Sequence, residues 1–512
     1  MIALRHEEQE DVFAIAHQEY DDLIGFLRDQ KTRELSHADM ETEMTVRGRE
    51  LMLKLFQSHI DSRGPGVAAA PILGAEGSER RRQRLHERGL STVFGEVRIQ
   101  RYGYGADGVE SLHPLDAELN LPREEYSLGV RRMAAESAAL VSFDDTVHTI
   151  AERSGKVIGK RQVEALVQRA AVDFDAFYTQ NAPDPKEQSS GILVLSADGK
   201  GVVMRPDDLR EATRNAAQTK ENKLGKRLSR GEKSNRKRMA TVAAVYTVAP
   251  YKRTPEQVTR TLAPLHEIEQ DRPEIEHKRV WASLEKSPED VLEAAFLEGL
   301  RRDPCHQKKW VGLVDGNALQ LKLLKKLAHK HRVEVTIVMD IIHVTEYLWD
   351  ASTAFCEETS KEREQWVSKR LLSVLRGKAA QVAAGMRRSA TRRKLTEKQR
   401  KTADNAARYL SNHKQFMHYD EYLAKGFPIA TGVIEGACRH LVCDRMDGVA
   451  RWSLKGAEAV LRLRAIRSSG DFNAYWDYHV KQEYQRNHVN QYADGKVIPI
   501  KGRQRPVLEL VK

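Results

Sequence analysis

Residues 191–201 read Gly-Ile-Leu-Val-Leu-Ser-Ala-Asp-Gly-Lys-Gly, an apolar run that stops at a carboxylate followed by glycine. A run this short and this apolar, bounded by turn residues, predicts a strand buried on both faces. Asp198 is then expected at a strand-to-turn junction, with Gly201 to Met204 as a second short strand beyond it. The pattern recurs in Trp310-Val311-Gly312-Leu313-Val314, which stops at Asp315-Gly316. Further strands are expected over Met239 to Val248, Val280 to Leu284 and Val333 to Met339, and helical spacing runs from Pro288 to Arg302 and from Ala318 to His331. The order strand, strand, strand, helix, strand, helix, strand predicts a mixed α/β sheet. In such sheets functional groups gather at strand ends, where a carboxylate leaves the apolar layer and a following glycine lets a ligand approach the backbone.

Outside this core the sequence changes character. Residues 7–60 carry apolar positions at helical spacing and predict an amphipathic helical start. Residues 64–79 are rich in glycine, alanine and proline and read as a flexible connection, followed by the basic stretch Arg80 to Arg84. Thr92 to Tyr102 has the alternation of a small hairpin, with a Gly-rich turn at Gly103 to Gly108. Ser142-Phe143-Asp144-Asp145 caps a helix that Gly155 ends, and a second helix begins at Arg161. Two short helices around a glycine turn suit either a DNA-reading helix-turn-helix, with Lys160 and Arg161 facing the duplex, or an ordinary helical hairpin. Residues 344–427 contain no comparable strand and predict an all-helical insertion.

Composition narrows the partner. The 512-residue chain is too long for one core, is 40% hydrophobic and 31% charged, and carries a formal charge of +11. That balance favours a polyanion, nucleic acid before an anionic membrane surface. The apolar runs fall short of the roughly 18 residues a membrane span needs, and the N-terminus lacks a signal core, so a cytoplasmic protein is expected. Cys305, Cys356, Cys438 and Cys443 include no C-x-x-C pair and are expected to be reduced thiols, not zinc ligands. Residues 205–238 hold twelve Lys or Arg against five acids, and a second basic stretch, Arg376 to Lys401, includes Arg387, Arg388, Arg392 and Arg393. Phosphate contact is the expected use of both.

Three acids stand out together. Asp315 alone also suits a helix cap, Asp198 a hairpin turn, and Glu435 an i,i+4 partner of Arg439. As a set, two strand-end aspartates and a late glutamate in a basic chain point to divalent cations. Magnesium and manganese prefer hard oxygen ligands, and a pair of them about 3.5–4 Å apart activates the attacking oxygen and steadies the leaving one in phosphoryl displacement. Asp340, which also ends a strand, is a rival for the second ligand. Lys200, Arg439 and His440 are candidates to touch the scissile phosphate. Trp452 is expected in the core.

The stretches Ala197-Asp198-Gly199-Lys200-Gly201, Val314-Asp315-Gly316-Asn317 and Gly432-Val433-Ile434-Glu435-Gly436-Ala437-Cys438, with Arg445-Met446 and Ala450-Arg451-Trp452, resemble bacterial insertion-sequence transposases of the DDE type. The likeness is closest to the ISKra group, is more distantly Mutator-like, and runs from about Thr92 to about His479. It implies an RNase H-like core with a mixed five-stranded sheet interrupted by a helical insertion, and an α-rich N-terminal DNA-binding region. It also implies catalytic and metal-binding roles for Asp198, Asp315 and Glu435, with two Mg²⁺ or Mn²⁺ ions. In that core the fourth strand lies beside the first, which favours Asp315 over Asp340. Asp340-Ile341-Ile342-His343 resembles the Mutator-like Asp/Cys-x-x-His motif, and the competing reading is a helix cap with a satisfied histidine. The resulting layout is a helical region (1–63), a linker (64–88), a hairpin and helix-turn-helix-like region (89–185), the first part of the core (186–343), the insertion (344–428), the final core helices (429–480) and a tail (481–512). Expected partners are terminal inverted repeats and target DNA, with a homodimer or larger assembly near the nucleoid. A nuclease without strand transfer, and a non-catalytic DNA-binding descendant, are the competing functions.

Overall fold

Ile192 to Ala197 are buried without exception, and a backbone segment sealed from water on both faces must find its hydrogen bonds in neighbouring strands. In the computed structural model, which describes residues 11–180, 191–218, 236–261, 272–357, 360–448 and 450–501, it finds them on both sides. The strands are β1 (Ile192–Val203), β2 (Lys237–Val248), β3 (Ile275–Ser283), β4 (Lys309–Val314) and β5 (Val335–Met339). They form one sheet in the order β5-β4-β1-β2-β3. β2 pairs antiparallel with β1 and β3, whereas β4 runs parallel to both β1 and β5. The mixed five-stranded sheet is therefore as expected, with the strand ending before Asp315 beside the one carrying Asp198.

Helices follow from local chemistry. α1 (Pro288–Arg302) starts with a Ser287–Asp290 capping box and proline in its first turn. α2 (Ala318–His331) is capped by Asn317, whose side chain accepts from the Leu319 and Gln320 amides. The cap that is the competing reading for Asp315 thus belongs to its neighbour two residues on. α3 (Ile341–Ser352) is capped by Asp340. The described part of the insertion is helical throughout, with α4 (Lys361–Leu375), α5 (Ala379–Arg392), α6 (Glu397–His413) and α7 (Tyr419–Lys425). α8 (Gly432–Ala437) carries Glu435, and α9 (Leu454–Ser469) packs on β3.

One expectation at the heart of the sheet is corrected. β1 does not end at Ala197; it continues to Val203, so the two anticipated strands are one and Asp198 stands within it, opposite Val242. The glycines do not break the strand because β2 offers a full-length ladder and needs the room they leave. A Cβ on Gly201 would lie 2.7 Å from Lys237 Cδ, and one on Gly199 3.3 Å from Met239 Cε. What stops near Asp198 is the parallel ladder to β4, whose last rung is Ser196 with Leu313.

The chain divides into two compact units, Phe174–Phe472, which holds this sheet, and Met1–Asp173 with Asn473–Lys512. In the latter, helices Ala14–Arg28 and His37–Asp61 precede an antiparallel sheet of Arg82–Thr92, Gly95–Ala106 and Val109–Leu112. Residues 64–79, expected to be a flexible connection, take part in a short ladder that pairs Leu73 with Glu79 and Ile72 with Arg80 just beyond, with Ile72 buried. The basic stretch after it opens the long strand Arg82–Thr92, one hairpin turns at Val93-Phe94, and a second turns at Asp107-Gly108, at the end of the expected Gly-rich stretch, with Gly108 at φ +76°. Helices Phe143–Ser154 and Lys160–Ala170 flank Gly155, which adopts φ +72°. Fully buried Arg131 donates to Glu483 (2.6 Å), and His479 contacts both Arg131 (3.0 Å) and Asp173 (2.7 Å), so charged groups from both ends of the sequence are paired inside this unit.

Candidate carboxylate centre

Side chains alternate along a strand, so Ser196, Asp198 and Lys200 share one face of β1, as Leu313 and Asp315 share one line along β4. The Ser196 hydroxyl donates to the Leu313 carbonyl (2.9 Å), fixing the last rung. Asp198 and Asp315 each lie two residues past that rung on parallel neighbours. Both therefore start from the same end of the β1–β4 ladder, Asp198 within β1 and Asp315 just past β4.

Each is held differently. Asp198 Oδ1 accepts from the Gly199 amide (2.6 Å), while Oδ2 receives the Cys438 thiol (3.2 Å) and the Lys200 ammonium (3.1 Å). Burial works to lower the Lys200 pKa, but the Asp198 carboxylate outweighs it and holds it above the ordinary value. Burial and the same carboxylate push the Cys438 thiol well up, which keeps it a neutral donor. Asp315 Oδ1 accepts from the Asn317 amide (2.9 Å), and its carbonyl accepts from the Tyr409 hydroxyl (2.9 Å) on α6. Between them Gly316 has φ +100°, and a Cβ there would stand 3.0 Å from Tyr409 Cε2, so the insertion presses on this loop where only glycine fits. Tyr409 in turn stacks on Tyr347 of α3 with ring centroids 4.0 Å apart.

Asp340 is the fixed point behind them. Its amide donates to the Val314 carbonyl (2.8 Å), which places it next to Asp315 across the β4–β5 pair. It is fully buried, and both carboxylate oxygens are engaged. Oδ1 accepts from Ile342 N (3.2 Å) and Thr431 N (3.0 Å), and Oδ2 from His343 N (3.2 Å) and His343 Nδ1 (2.7 Å). Burial alone would raise its pKa, but the hydrogen bonds from His343, Ile342 and Thr431 prevail and hold it below the usual carboxylate range. The same hydrogen bond to Asp340 lifts His343 to about 9. Thr431 then donates its hydroxyl to Glu435 Oε1 (3.0 Å), so one chain of contacts leads from Asp340 to Glu435.

After Glu435 the helix widens into a π segment, Cys438–Cys443, before resuming at Asp444–Met446. Such a segment leaves carbonyls without their usual helical donors. Arg464 of α9 donates to those of His440 and Leu441 (3.0 Å to the latter). Cys438, one turn beyond Glu435, is thereby held over β1 with its thiol on Asp198.

Among the described residues, one group of possible metal-binding side chains has its ligand atoms all within 4.8 Å of one another: Asp340, His343 and Glu435. Asp340 already accepts two hydrogen bonds at each oxygen, one of them from His343 Nδ1. Asp340 is joined to Glu435 through Thr431. Among the described residues Asp198, Asp315 and Glu435 do not form such a group with one another, although none of the three is buried; hard oxygen donors of this kind suit magnesium or manganese.

The remaining expected site residues fall elsewhere. Arg439 and His440 lie on the exposed side of the π segment, paired with Asp444 (3.6 and 3.0 Å). Arg387, Arg388, Arg392 and Arg393 are exposed on α5 and its C-terminal end, though Arg393 donates to the Phe355 carbonyl (2.8 Å) and Arg387 lies 3.9 Å from Asp404. Lys160 and Arg161 are exposed in the other unit, Lys160 paired with Asp144 (2.7 Å). Of the basic segment 205–238, residues 219–235 lie outside the described residues. Trp452 is buried and bridges to Met204, as expected of a core residue. The four cysteines are free thiols. No described helix is long and apolar enough to cross a membrane. The contacts of Cys438, Tyr409 and Arg464 had no signal in the sequence, because each depends on a partner distant along the chain.

No family model and no curated protein matches this chain. Among solved structures, a Drosophila P element transposase strand transfer complex is similar at 9% identity and a TM-score of 0.25, over 74% of this chain and 84% of that one.

Proposed function

We propose that the chain is a DNA transposase of the DDE type, a polynucleotidyl transferase that works through Asp198, Asp315 and Glu435. The observation that supports this reading is the parallel β1–β4 pairing, whose last rung, Ser196 with Leu313, stands two residues before Asp198 on one strand and before Asp315 on the next. The Cys438–Asp198 contact supports placing the Glu435 helix over the same end. A fourth strand beside the first, and a helical insertion before the acidic helix, agree with the RNase H-like core that the sequence resemblance implies. When bound, two Mg²⁺ or Mn²⁺ ions supply Lewis acidity to the attacking and leaving oxygens. The chain's own contribution is to hold three carboxylates on rigid elements, with Asp340 fixing the β5 end and Thr431 orienting Glu435. Lys200, paired with Asp198 at 3.1 Å, is the proposed positive charge for a phosphate oxygen. Water is the first nucleophile, and the 3′-hydroxyl it frees is the second.

The test uses the purified full-length chain and labelled duplexes from the DNA flanking its gene. With MgCl₂ present, strand nicks ending in 3′-hydroxyl and joined products are expected; chelation should abolish both. Nicks without joining favour a nuclease on the same fold. No cleavage in Mg²⁺ or Mn²⁺ ends the reading.

The exposed face of α5 is the proposed phosphate contact of the insertion. Replacing Arg387, Arg388 and Arg392 together by Ala should weaken duplex binding at all sequences and flatten the log–log salt dependence by about 0.9 for each phosphate no longer engaged. Arg393 is left in place because its guanidinium holds Phe355. An unchanged slope in a filter-binding titration removes α5 from the DNA interface.

A further inference from the structure

Asp198 has two carboxylate oxygens, and one of them joins it to the Glu435 helix. Its Oδ1 is tied to the neighbouring Gly199 amide (2.6 Å), a contact that β1 makes with itself. Its Oδ2 has two donors of opposite character. Lys200 reaches it with a long side chain that is 42% exposed, which leaves the ammonium free to turn to another anion. Cys438 reaches it from a different element, with a short side chain on a residue that is only 1% exposed. Cys438 begins the π segment, three residues after Glu435, so the two side chains lie one turn apart on neighbouring positions of the helix surface. The π segment is itself anchored by buried Arg464, so the thiol is supported from behind.

We infer that Cys438 is a positioning residue: its thiol, donating to Asp198 Oδ2, sets both the rotation of that carboxylate and the approach of the Glu435 helix to β1. The inference rests on the carboxylate-centre reading above and gives a role to a group outside its three ligands. A thiol is a weak donor, but a hydrogen bond to a charged acceptor is stronger than one between neutral groups, and a buried donor fixes a rotamer that solvent would otherwise scatter. Its loss should therefore be felt in how readily divalent cations are held, before it is felt in how tightly DNA is bound.

Three full-length variants separate this from simple packing. Cys438→Ser keeps a donor at slightly shorter reach, Cys438→Ala removes donor and volume, and Cys438→Val keeps volume without a donor. Two readouts are taken: the MgCl₂ and MnCl₂ concentrations for half-maximal cleavage, and the rise in unfolding temperature caused by MnCl₂ alone. Cys438→Ala and Cys438→Val are expected to need about tenfold more of either metal, the scale of one hydrogen bond to a charged group. Both should lose most of the metal-induced thermal shift with DNA affinity unchanged, and Cys438→Ser should stay within about threefold of the parent. Because Cys438→Val preserves packing, it remains informative if Cys438→Ala folds poorly. Wild-type cleavage with an unaltered metal requirement in Cys438→Val overturns the inference alone. A parent protein that neither cleaves nor responds to Mg²⁺ or Mn²⁺ overturns the carboxylate reading, and the inference with it.

Discussion

Asp198→Asn, Asp315→Asn and Glu435→Gln are each expected to lower metal-dependent cleavage by about 1,000-fold or more while duplex binding stays within about threefold. The magnitude follows from charge: a divalent cation stabilises a phosphoryl transition state by several kcal/mol, and each 1.36 kcal/mol is tenfold in rate. The amide forms keep shape and much of the hydrogen bonding, so folding is left intact. In Asp198→Asn one acceptor oxygen remains, for the Gly199 amide or the Cys438 thiol but not both, and in Asp315→Asn one remains for the Asn317 amide. What they lose is the negative charge that a hard cation requires. Single-turnover cleavage of labelled ends, alongside gel-shift binding of the same duplex, measures both quantities. Cleavage near the parent rate in any one of the three would strike that residue from the ligand set. Should Asp315 be the one struck, Asp340, whose ligand atoms group with those of His343 and Glu435, is the alternative.

How far the sequence led depends on the range of the interactions concerned. Helices α1 and α2 were legible to the residue, because capping and apolar spacing act within a turn or two. The strands were legible as apolar runs, yet their ends were not. Gly199 and Gly201 look like a break from within the chain, and only the Lys237 and Met239 side chains across the ladder show why glycine belongs inside a strand there. Residues 64–79 read as loose for a similar reason: the pairing of Ile72 with Arg80 needs two short segments to meet, and neither is long enough to announce itself. For the site, Asp198, Asp315 and Glu435 were visible as acids in unusual company, and the neighbouring strands bring the first two to one end. The supporting shell was hidden. Asp340 was legible as both cap and histidine partner, but its contacts with Thr431 and Val314, the Cys438 thiol on Asp198 and the Arg464 support of the π segment all join residues far apart in sequence.

Two ion pairs with the same 2.5 Å separation are expected to differ sharply in worth, and the difference tests how the sheet is held. Glu298 of α1 lies 3% exposed among Arg279 of β3 (2.5 Å), Arg302 (2.6 Å) and Arg301 (3.2 Å). Glu289 of the same helix pairs with Lys326 of α2 at 2.5 Å, with the two side chains 46% and 56% exposed. Burial alone would raise the Glu298 pKa, but Arg279 and Arg302 reverse it and keep the carboxyl below its ordinary value, so the group is charged. Arg279 is packed over the rings of Tyr178 and Trp281 and has little room to follow solvent outward. Glu298→Ala thus strands buried guanidinium charge, which costs about 3–5 kcal/mol, whereas Glu289→Ala releases a wet pair worth about 0–1 kcal/mol. Chemical denaturation of the full-length protein, followed by Trp fluorescence, should show the midpoint falling strongly in Glu298→Ala and barely moving in Glu289→Ala. Equal, small shifts would mean that the Arg279 cluster relaxes into water and that apolar burial alone keeps α1 against the sheet.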